Sequence, residues 1–175
     1  MRERELVPKS KYNEELEAKV KYYNSITYSH PKNDIKFERI KEQSFIDEAS
    51  QEKWEIGQIK NCINGVKGMT GKMYFFFHYC KMKNLKGGKI PPEFRVADNE
   101  WYKLVEECQA SEEWGIVCVK RRRAGFSWKE AADVLHDALF FPHRTIGVNS
   151  KTENDSVELF KKVKFIYDNL PSFLK

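Results

Sequence analysis

A dense group of basic residues, followed by a glycine and a serine, lies near the middle of this 175-residue chain. In the stretch WGIVCVKRRRAGFSW, the apolar residues 116–119 are followed by the basic residues 120–123 and then by Gly125 and Ser127. Lysine and arginine side chains can neutralise a phosphate, and a serine hydroxyl can bind the magnesium ion that accompanies a nucleotide. Gly125 lets the backbone approach an anion because it has no Cβ atom. These residue types in this order indicate chemistry on phosphate groups.

The elements around the basic residues must hold them in position. The short apolar run at 115–119 is predicted to be a strand, and the residues after Gly125 are predicted to form a helix that Pro142 ends. The first amides of such a helix have no partner within the helix, so they can bind an anion. A second strand is predicted at 145–148, followed by another helix with a capping box formed by Ser150 and Glu153. The order β–loop–α–β–α predicts the α/β class and the start of a parallel, doubly wound sheet.

The basic loop departs from the standard phosphate-binding loop, G-x-x-x-x-G-K-[ST]. Phe126 stands where the lysine belongs, and Lys120 stands where the first glycine belongs. From the residues alone, two interpretations remain open. The loop can bind a nucleotide, or its arginines can face water or contact the phosphates of a nucleic acid.

Composition limits the classes of protein to which the chain can belong. With 41% hydrophobic residues it can bury a core, and its length fits one domain plus an extension. The net charge of +5 permits contact with a polyanion without requiring it. The four cysteines lack a CxxC spacing, so buried, reduced thiols are expected rather than a zinc site. The first residues lack the apolar segment of a signal peptide, and the longest apolar run is too short for a membrane span.

Changes in composition divide the chain into three predicted parts. Residues 1–55 are expected to be a helical N-terminal extension, and residues 56–110 an aromatic-rich segment with a helix that Asp98 caps. Residues 111–175 are expected to be an incomplete P-loop core. Within the second part, the apolar run at 73–80 is predicted to be a buried helix or strand, with Thr70 as the cap if it is a helix.

The loop resembles the deviant Walker A loop of the large terminase subunits of tailed bacteriophages, which are DNA-packaging motors. The shared pattern is Lys-x-x-Arg-x-Gly-[Phe/Tyr]-Ser after an apolar strand. The resemblance covers about residues 70–175, where YFFFHYCKM, KIPPEFRVADNEWYKLVEEC, the loop, RTIGVNSKTE and LPSFL follow in the family's order. It implies a P-loop NTPase fold preceded by a mainly helical extension, with ATP and magnesium as cofactors.

The resemblance also implies roles for single residues. Lys120 matches the family's displaced phosphate-binding lysine, and Ser127 matches its magnesium-binding hydroxyl. Arg123 matches the loop arginine, which is expected to act in catalysis by sensing or stabilising the γ-phosphate. Lys129, in the following helix, is expected to make no phosphate contact. The implied nucleotide-binding residues are Lys120, Arg123, Ala124, Gly125, Phe126, Ser127 and Trp128.

An adenine-recognition segment is implied at residues 94–102. Arg95, Trp101 or Tyr102 can stack on the base or place a cation over it. The alternative for Trp101 is a place in the core of its own helix.

The chain departs from the family in its acidic residues. Hydrolysis needs an apolar strand that ends in Asp-Glu, and no predicted strand of this sequence does so. We therefore expect an N-terminal fragment or a truncated product that binds ATP without turning it over. The coupling motif and the endonuclease domain of the family are expected downstream.

The resemblance implies partners and a location as well. They are double-stranded DNA, the small terminase subunit, the portal protein and other copies in a homo-oligomeric ring, in the host cytoplasm and transiently at the procapsid portal. The small subunit is expected to bury an apolar stripe of Leu16, Val20 and Tyr23, although this stripe can instead pack on the chain's own core. Two other functions remain open: a nucleic-acid-binding module without nucleotide chemistry, and a helicase-like ATPase fragment.

Overall fold

The computed structural model describes residues 39–40, 43–111, 115–119 and 125–175. The chain divides into two units after Lys36, and every described residue belongs to the second unit. Among these residues are five α-helices: α1 (Glu48–Asn64), α2 (Gly71–Tyr79), α3 (Val96–Ala110), α4 (Phe126–Phe140) and α5 (Glu153–Asp168). Two short antiparallel strands, β1 (Met82–Lys83) and β2 (Lys89–Ile90), form a hairpin between α2 and α3, and a 3-10 helix (Ser172–Leu174) follows α5. None of the described helices is long and apolar enough to cross a membrane.

Helix α2 lies at the centre of the core. Met73, Phe75 and Phe77 are at most 1% exposed, and α1, α3 and α4 all pack against this helix. The predicted cap is confirmed, because Thr70 Oγ1 accepts a hydrogen bond of 3.2 Å from the amide of Met73. A helix that is apolar on every side has to be surrounded by other elements, which explains the central position of α2.

The contact between α1 and α2 depends on Gly71, the first residue of α2. A Cβ atom at this position would lie 2.3 Å from the carbonyl oxygen of Cys62 and 2.6 Å from that of Ile63. Helix α4 joins the same junction, since His136 Nε2 lies 2.7 Å from the Cys62 carbonyl oxygen. This distance indicates that Nε2 carries the proton and donates to the carbonyl.

Two predicted helix caps are wrong. The N-cap of α3 is Arg95, and Asp98 lies within the first turn, where its Oδ2 accepts a hydrogen bond of 2.9 Å from the Arg95 amide. The N-cap of α5 is Thr152 rather than Ser150, and its Oγ1 accepts a hydrogen bond of 3.2 Å from the Asp155 amide. Acidic and hydroxyl residues are favourable both at the cap and in the first turn, so the sequence alone did not separate these positions.

The two predicted strands beside the basic loop are not strands in the structure. Residues 115–119 and 145–148 have no strand assignment, and the side chains of Val117 and Val119 are almost fully exposed. A strand requires a hydrogen-bonded neighbour. The β1–β2 hairpin is the single sheet within the described ranges. The parallel sheet of the α/β class therefore stays a prediction.

Some predictions lie outside the described residues. They concern the N-terminal stripe of Leu16, Val20 and Tyr23 and the loop residues 120–124. The predicted boundary between the N-terminal extension and the next part, at residue 55, lies inside helix α1.

The four cysteines are free thiols, and they differ in exposure. Cys62 and Cys80 are buried as predicted, and burial raises the pKa of the Cys62 thiol to about 12. Cys108 is half-buried, and the prediction is wrong for Cys118, which is exposed in the unpaired segment 115–119.

A pair of glycine substitutions tests the packing of α1 on α2. We expect Gly71→Ala to lower the free energy of unfolding by about 2–3 kcal/mol, because the new Cβ would overlap backbone oxygens. The matched control is Gly57→Ala in the middle of α1, where no atom lies within 4 Å of the added Cβ. The control is expected to raise stability by about 0.5–1 kcal/mol, since alanine favours a helix. Urea unfolding measures the free energy of unfolding of both variants. If Gly71→Ala were as stable as the wild type, this result would contradict the close approach of α1 and α2 at Gly71.

Candidate nucleotide site at the start of helix α4

Helix α4 begins directly after the basic loop, and its first turn is not capped by a side chain. The N-cap is Gly125, with φ 75° and ψ 4°, a left-handed conformation that glycine adopts without strain. The first turn contains no acidic residue. By contrast, α1, α2 and α5 each begin with an Asp or Thr side chain that accepts a hydrogen bond from a helix amide. The positive end of the α4 dipole is therefore not compensated by a capping side chain, as an anion site requires.

The first residues of α4 have distinct surroundings. Ser127 is exposed, so its hydroxyl is accessible to a ligand. Phe126 packs edge-to-face on Trp101 of α3 with 4.5 Å between ring centroids, and Lys129 Nζ lies 5.1 Å from the Phe126 centroid. Trp128 is half-buried. Phe126, at the position of the usual P-loop lysine, therefore anchors the start of α4 on α3.

A cleft of about 180 Å³ opens beside Gly125. Its walls include both apolar and polar side chains, and they are formed by Phe76, Met82, Ile90, Pro91, Pro92, Glu93, Arg95, Asp98, Gly125 and Lys129. The volume is below the roughly 300 Å³ of a typical small-molecule pocket, so the cleft can hold a part of a ligand, such as a heterocyclic ring. The N-terminal end of α4 and this cleft meet at Gly125.

A buried ion pair in the wall of the cleft joins α3 to α4. The Lys129 ammonium donates a hydrogen bond to Asp98 Oδ1, and the Arg95 amide donates to Asp98 Oδ2 at 2.9 Å. Asp98 is 3% exposed and Lys129 is 7% exposed. Removal of one member would leave an uncompensated buried charge, which costs about 3–5 kcal/mol in proteins. Lys129 therefore fixes α4 against α3, and it lines the cleft although it was not predicted to belong to the site.

The three adenine-side candidates occupy different environments. Arg95 lines the cleft, and its side chain is 58% exposed. Trp101 is half-buried and does not line the cleft. Tyr102 is 1% exposed, and its ring packs at 6.1 Å and 6.3 Å from those of Phe76 and Phe77. Of the three, Arg95 is the one that a ligand in this cleft can touch.

The remaining members of the predicted site, Lys120, Arg123 and Ala124, lie outside the described residues. The described members are Gly125, Phe126, Ser127 and Trp128, consecutive at the start of α4. Among the residues that the structure describes, no group of three or more His, Cys, Asp or Glu side chains is arranged to hold a metal ion. No protein-family model and no curated protein matches the chain.

A second buried carboxyl group lies one helical turn beyond Lys129. Burial raises the pKa of Asp133 to about 7, although the positive charge of Lys72 acts in the opposite direction. Within the described part of the chain, neither Asp133 Oδ1 nor the Tyr102 hydroxyl has a hydrogen-bond partner. Burial is the main cause that raises the pKa of Tyr102, and the negative charge of Asp133 raises this pKa further. The interface between α3 and α4 is thus most stable when Asp133 is protonated.

The protonation of Asp133 predicts how stability depends on pH. The folded protein keeps this proton up to about pH 7, whereas the pKa of a free aspartate is 3.8. Folding therefore takes up a proton between these values, and the free energy of unfolding falls as pH rises through the window. The raised pKa of Asp133 corresponds to a fall in the free energy of unfolding of up to about 4 kcal/mol.

We expect Asp133→Asn to flatten this fall and to be more stable than the wild type at about pH 8, where the wild type has a buried carboxylate. Urea unfolding at about pH 5 and about pH 8 measures the effect. The control is Glu107→Gln, an exposed substitution on α3 that removes the same charge and should follow the wild type. If Asp133→Asn lost as much stability with rising pH as the wild type, another group would be responsible.

Proposed function

We propose that this chain is the ATP-binding N-terminal portion of a viral DNA-packaging motor of the large terminase type. The whole motor would use ATP hydrolysis to move double-stranded DNA into a procapsid. The observation that carries the proposal is the start of α4, where the N-cap Gly125 has no side chain to cap the helix and follows four consecutive basic residues after one intervening alanine. This arrangement combines the first helix amides, the helix dipole and local positive charge, which together favour a polyphosphate; of these amides, that of Trp128 also donates to the Gly125 carbonyl oxygen at 3.1 Å.

In this proposal the phosphates lie on the backbone amides at 124–128. Lys120 neutralises the β- and γ-phosphates, and Arg123 stabilises the charge that develops on the γ-phosphate. Ser127 binds the magnesium ion through its hydroxyl, which the exposure of this residue permits. Phe126 contributes only its backbone amide to this site, because its side chain packs on Trp101.

The cleft beside Gly125 is the proposed place for the adenine ring. Phe76 and Pro92 supply apolar contacts, and the exposed guanidinium of Arg95 can lie over a face of the ring. The buried pair of Lys129 and Asp98 also lines the cleft and already compensates its own charges. A heterocycle can therefore enter without leaving a buried charge unpaired.

The chain on its own is proposed to bind ATP without appreciable turnover. Its sequence contains no apolar strand that ends in Asp-Glu, so it lacks the pair that would hold magnesium and orient the attacking water. The proposed partners of the whole motor are double-stranded DNA, the small terminase subunit, the portal protein and further copies in a ring. The proposed location is the host cytoplasm, with transient assembly at the procapsid portal.

A nucleic-acid-binding module without nucleotide chemistry is the second candidate. The specific observation in its favour is the run of basic residues at 120–123, which suits phosphates of either kind. The two functions differ in what they require of the loop. A nucleotide site depends on one lysine in one place, whereas a phosphate-backbone contact depends on total charge.

Substitutions within the loop separate these functions. We expect Lys120→Ala to weaken binding of magnesium–ATP by about 2–3 kcal/mol, through loss of a charge-assisted phosphate contact. Arg121→Ala is the matched control, since it removes the same charge from the same loop and should leave ATP affinity nearly unchanged. Titration calorimetry measures both.

The contradicting result is equal ATP affinity for the wild type and Lys120→Ala. Equal losses of ATP affinity in Lys120→Ala and Arg121→Ala would instead indicate that binding depends on the total charge of the loop. Lys129→Ala is unsuitable as a control, because it would leave the buried carboxylate of Asp98 without its partner.

A further inference from the structure

The β1–β2 hairpin has a defined turn. The Asn84 amide donates to the Gly88 carbonyl oxygen at 2.9 Å, and the Gly87 amide donates to the Asn84 carbonyl oxygen at 3.0 Å. The side-chain Oδ1 of Asn84 accepts two more hydrogen bonds, from the amides of Lys86 at 3.0 Å and Gly88 at 2.7 Å. Gly87 has a φ of 82°, which favours glycine at this position. The hairpin therefore presents its side chains from a fixed backbone.

The hairpin has a strong and uncompensated positive charge. Residues 81–90 read KMKNLKGGKI, with four lysines and no acidic residue. Lys83, Lys86 and Lys89 are exposed, and Lys81 is half-buried. Within the described ranges none of these four lysines forms a salt bridge, whereas Lys72 and Lys129 each pair with an aspartate. We call residues 81–90 the lysine hairpin.

We propose that the lysine hairpin binds the phosphate backbone of double-stranded DNA. The proposal is based on charge complementarity, because the three exposed ammonium groups of the lysine hairpin can each replace a counterion on a phosphate. The hairpin contains no aromatic residue, so it lacks the stacking platform with which proteins bind the bases of single strands. Leu85 is fully exposed at the tip and Ile90 is 39% exposed beside the cleft, but two separate apolar residues are too few for a membrane anchor. The choice of DNA among polyanions rests on the proposed function.

The lysine hairpin also adjoins the candidate nucleotide site. Met82 and Ile90, which face each other across the two strands, both line the cleft. The four lysines do not line it. The lysines can therefore be neutralised without changing the walls of the cleft, which lets DNA binding and ATP binding be measured separately.

The test compares two triple substitutions that lower the net charge equally. The hairpin variant is Lys83→Gln, Lys86→Gln and Lys89→Gln, and the control is Lys53→Gln, Lys60→Gln and Lys103→Gln at exposed positions of α1 and α3. Affinity for a short DNA duplex is measured by fluorescence anisotropy over a series of salt concentrations. Magnesium–ATP affinity is measured on the same samples, and circular dichroism establishes that both variants are folded.

We expect the hairpin variant to bind the duplex about tenfold or more weakly at low salt, with the slope of log K against log salt reduced by roughly 2–3 relative to the wild type. The control should keep the wild-type slope. Equal slopes in the two variants, or failure of the wild type to bind duplex, would overturn the proposal. So would stronger binding of the wild type to phosphatidylserine vesicles than to duplex.

The ATP measurement distinguishes this proposal from the proposed function. If the wild type binds duplex through the hairpin but does not bind ATP, the nucleotide site fails and the DNA surface stands. If ATP binds normally and the two triple variants bind DNA alike, the hairpin proposal fails and the nucleotide site stands.

Discussion

The buried ion pair between Asp98 and Lys129 is the interaction on which the candidate site depends. It joins the first turn of α3 to the first turn of α4, and Asp98 also accepts a hydrogen bond from the Arg95 amide. Because both carboxylate oxygens have partners, the charge is tolerated at 3% exposure. The pair thus sets where Gly125 and the amides after it lie relative to the cleft. Neither residue needs to touch a ligand for its loss to disrupt the site.

The sequence predicted the helices of this region better than it predicted their contacts. Thr70 was correctly identified as a cap, and the helix after the basic loop was correctly predicted to end before Pro142, because these signals lie within a few residues of each other. The pairing of Asp98 with Lys129 joins residues 31 positions apart. No spacing rule covers such a pair, so the sequence alone assigned Asp98 to a helix cap and left Lys129 out of the site.

The aromatic residues show the same limit. The sequence predicted a helix capped by Asp98 that contains Trp101 and Tyr102, but it did not show which ring would reach a cleft and which would enter the core. Tyr102 is almost completely buried, and Trp101 holds Phe126. Their positions depend on how α3 packs against α2 and α4, which is information from the tertiary structure.

The predicted strands illustrate a different limit. In residues 146–149 the burial alternates, with Ile146 and Val148 half-buried and Gly147 and Asn149 exposed. Ile146 and Val148 line an apolar groove of about 340 Å³ together with residues of α4 and α5, including Val157 and Phe160. Alternation is the burial pattern of a strand against a helical layer, but a sheet also needs a neighbouring strand. Periodicity can predict alternating burial from the local sequence, whereas the presence of a neighbouring strand depends on distant residues.

The central claim is that the first amides of α4 bind nucleotide phosphates. Backbone amide NMR during a titration with magnesium–ATP tests it most directly. We expect saturable shifts for the amides of Gly125, Phe126, Ser127 and Trp128, with weaker shifts for adenosine, which lacks phosphates. Unchanged amides at saturating ATP, or shifts produced by duplex DNA and not by ATP, would contradict the claim and favour a nucleic-acid-binding module.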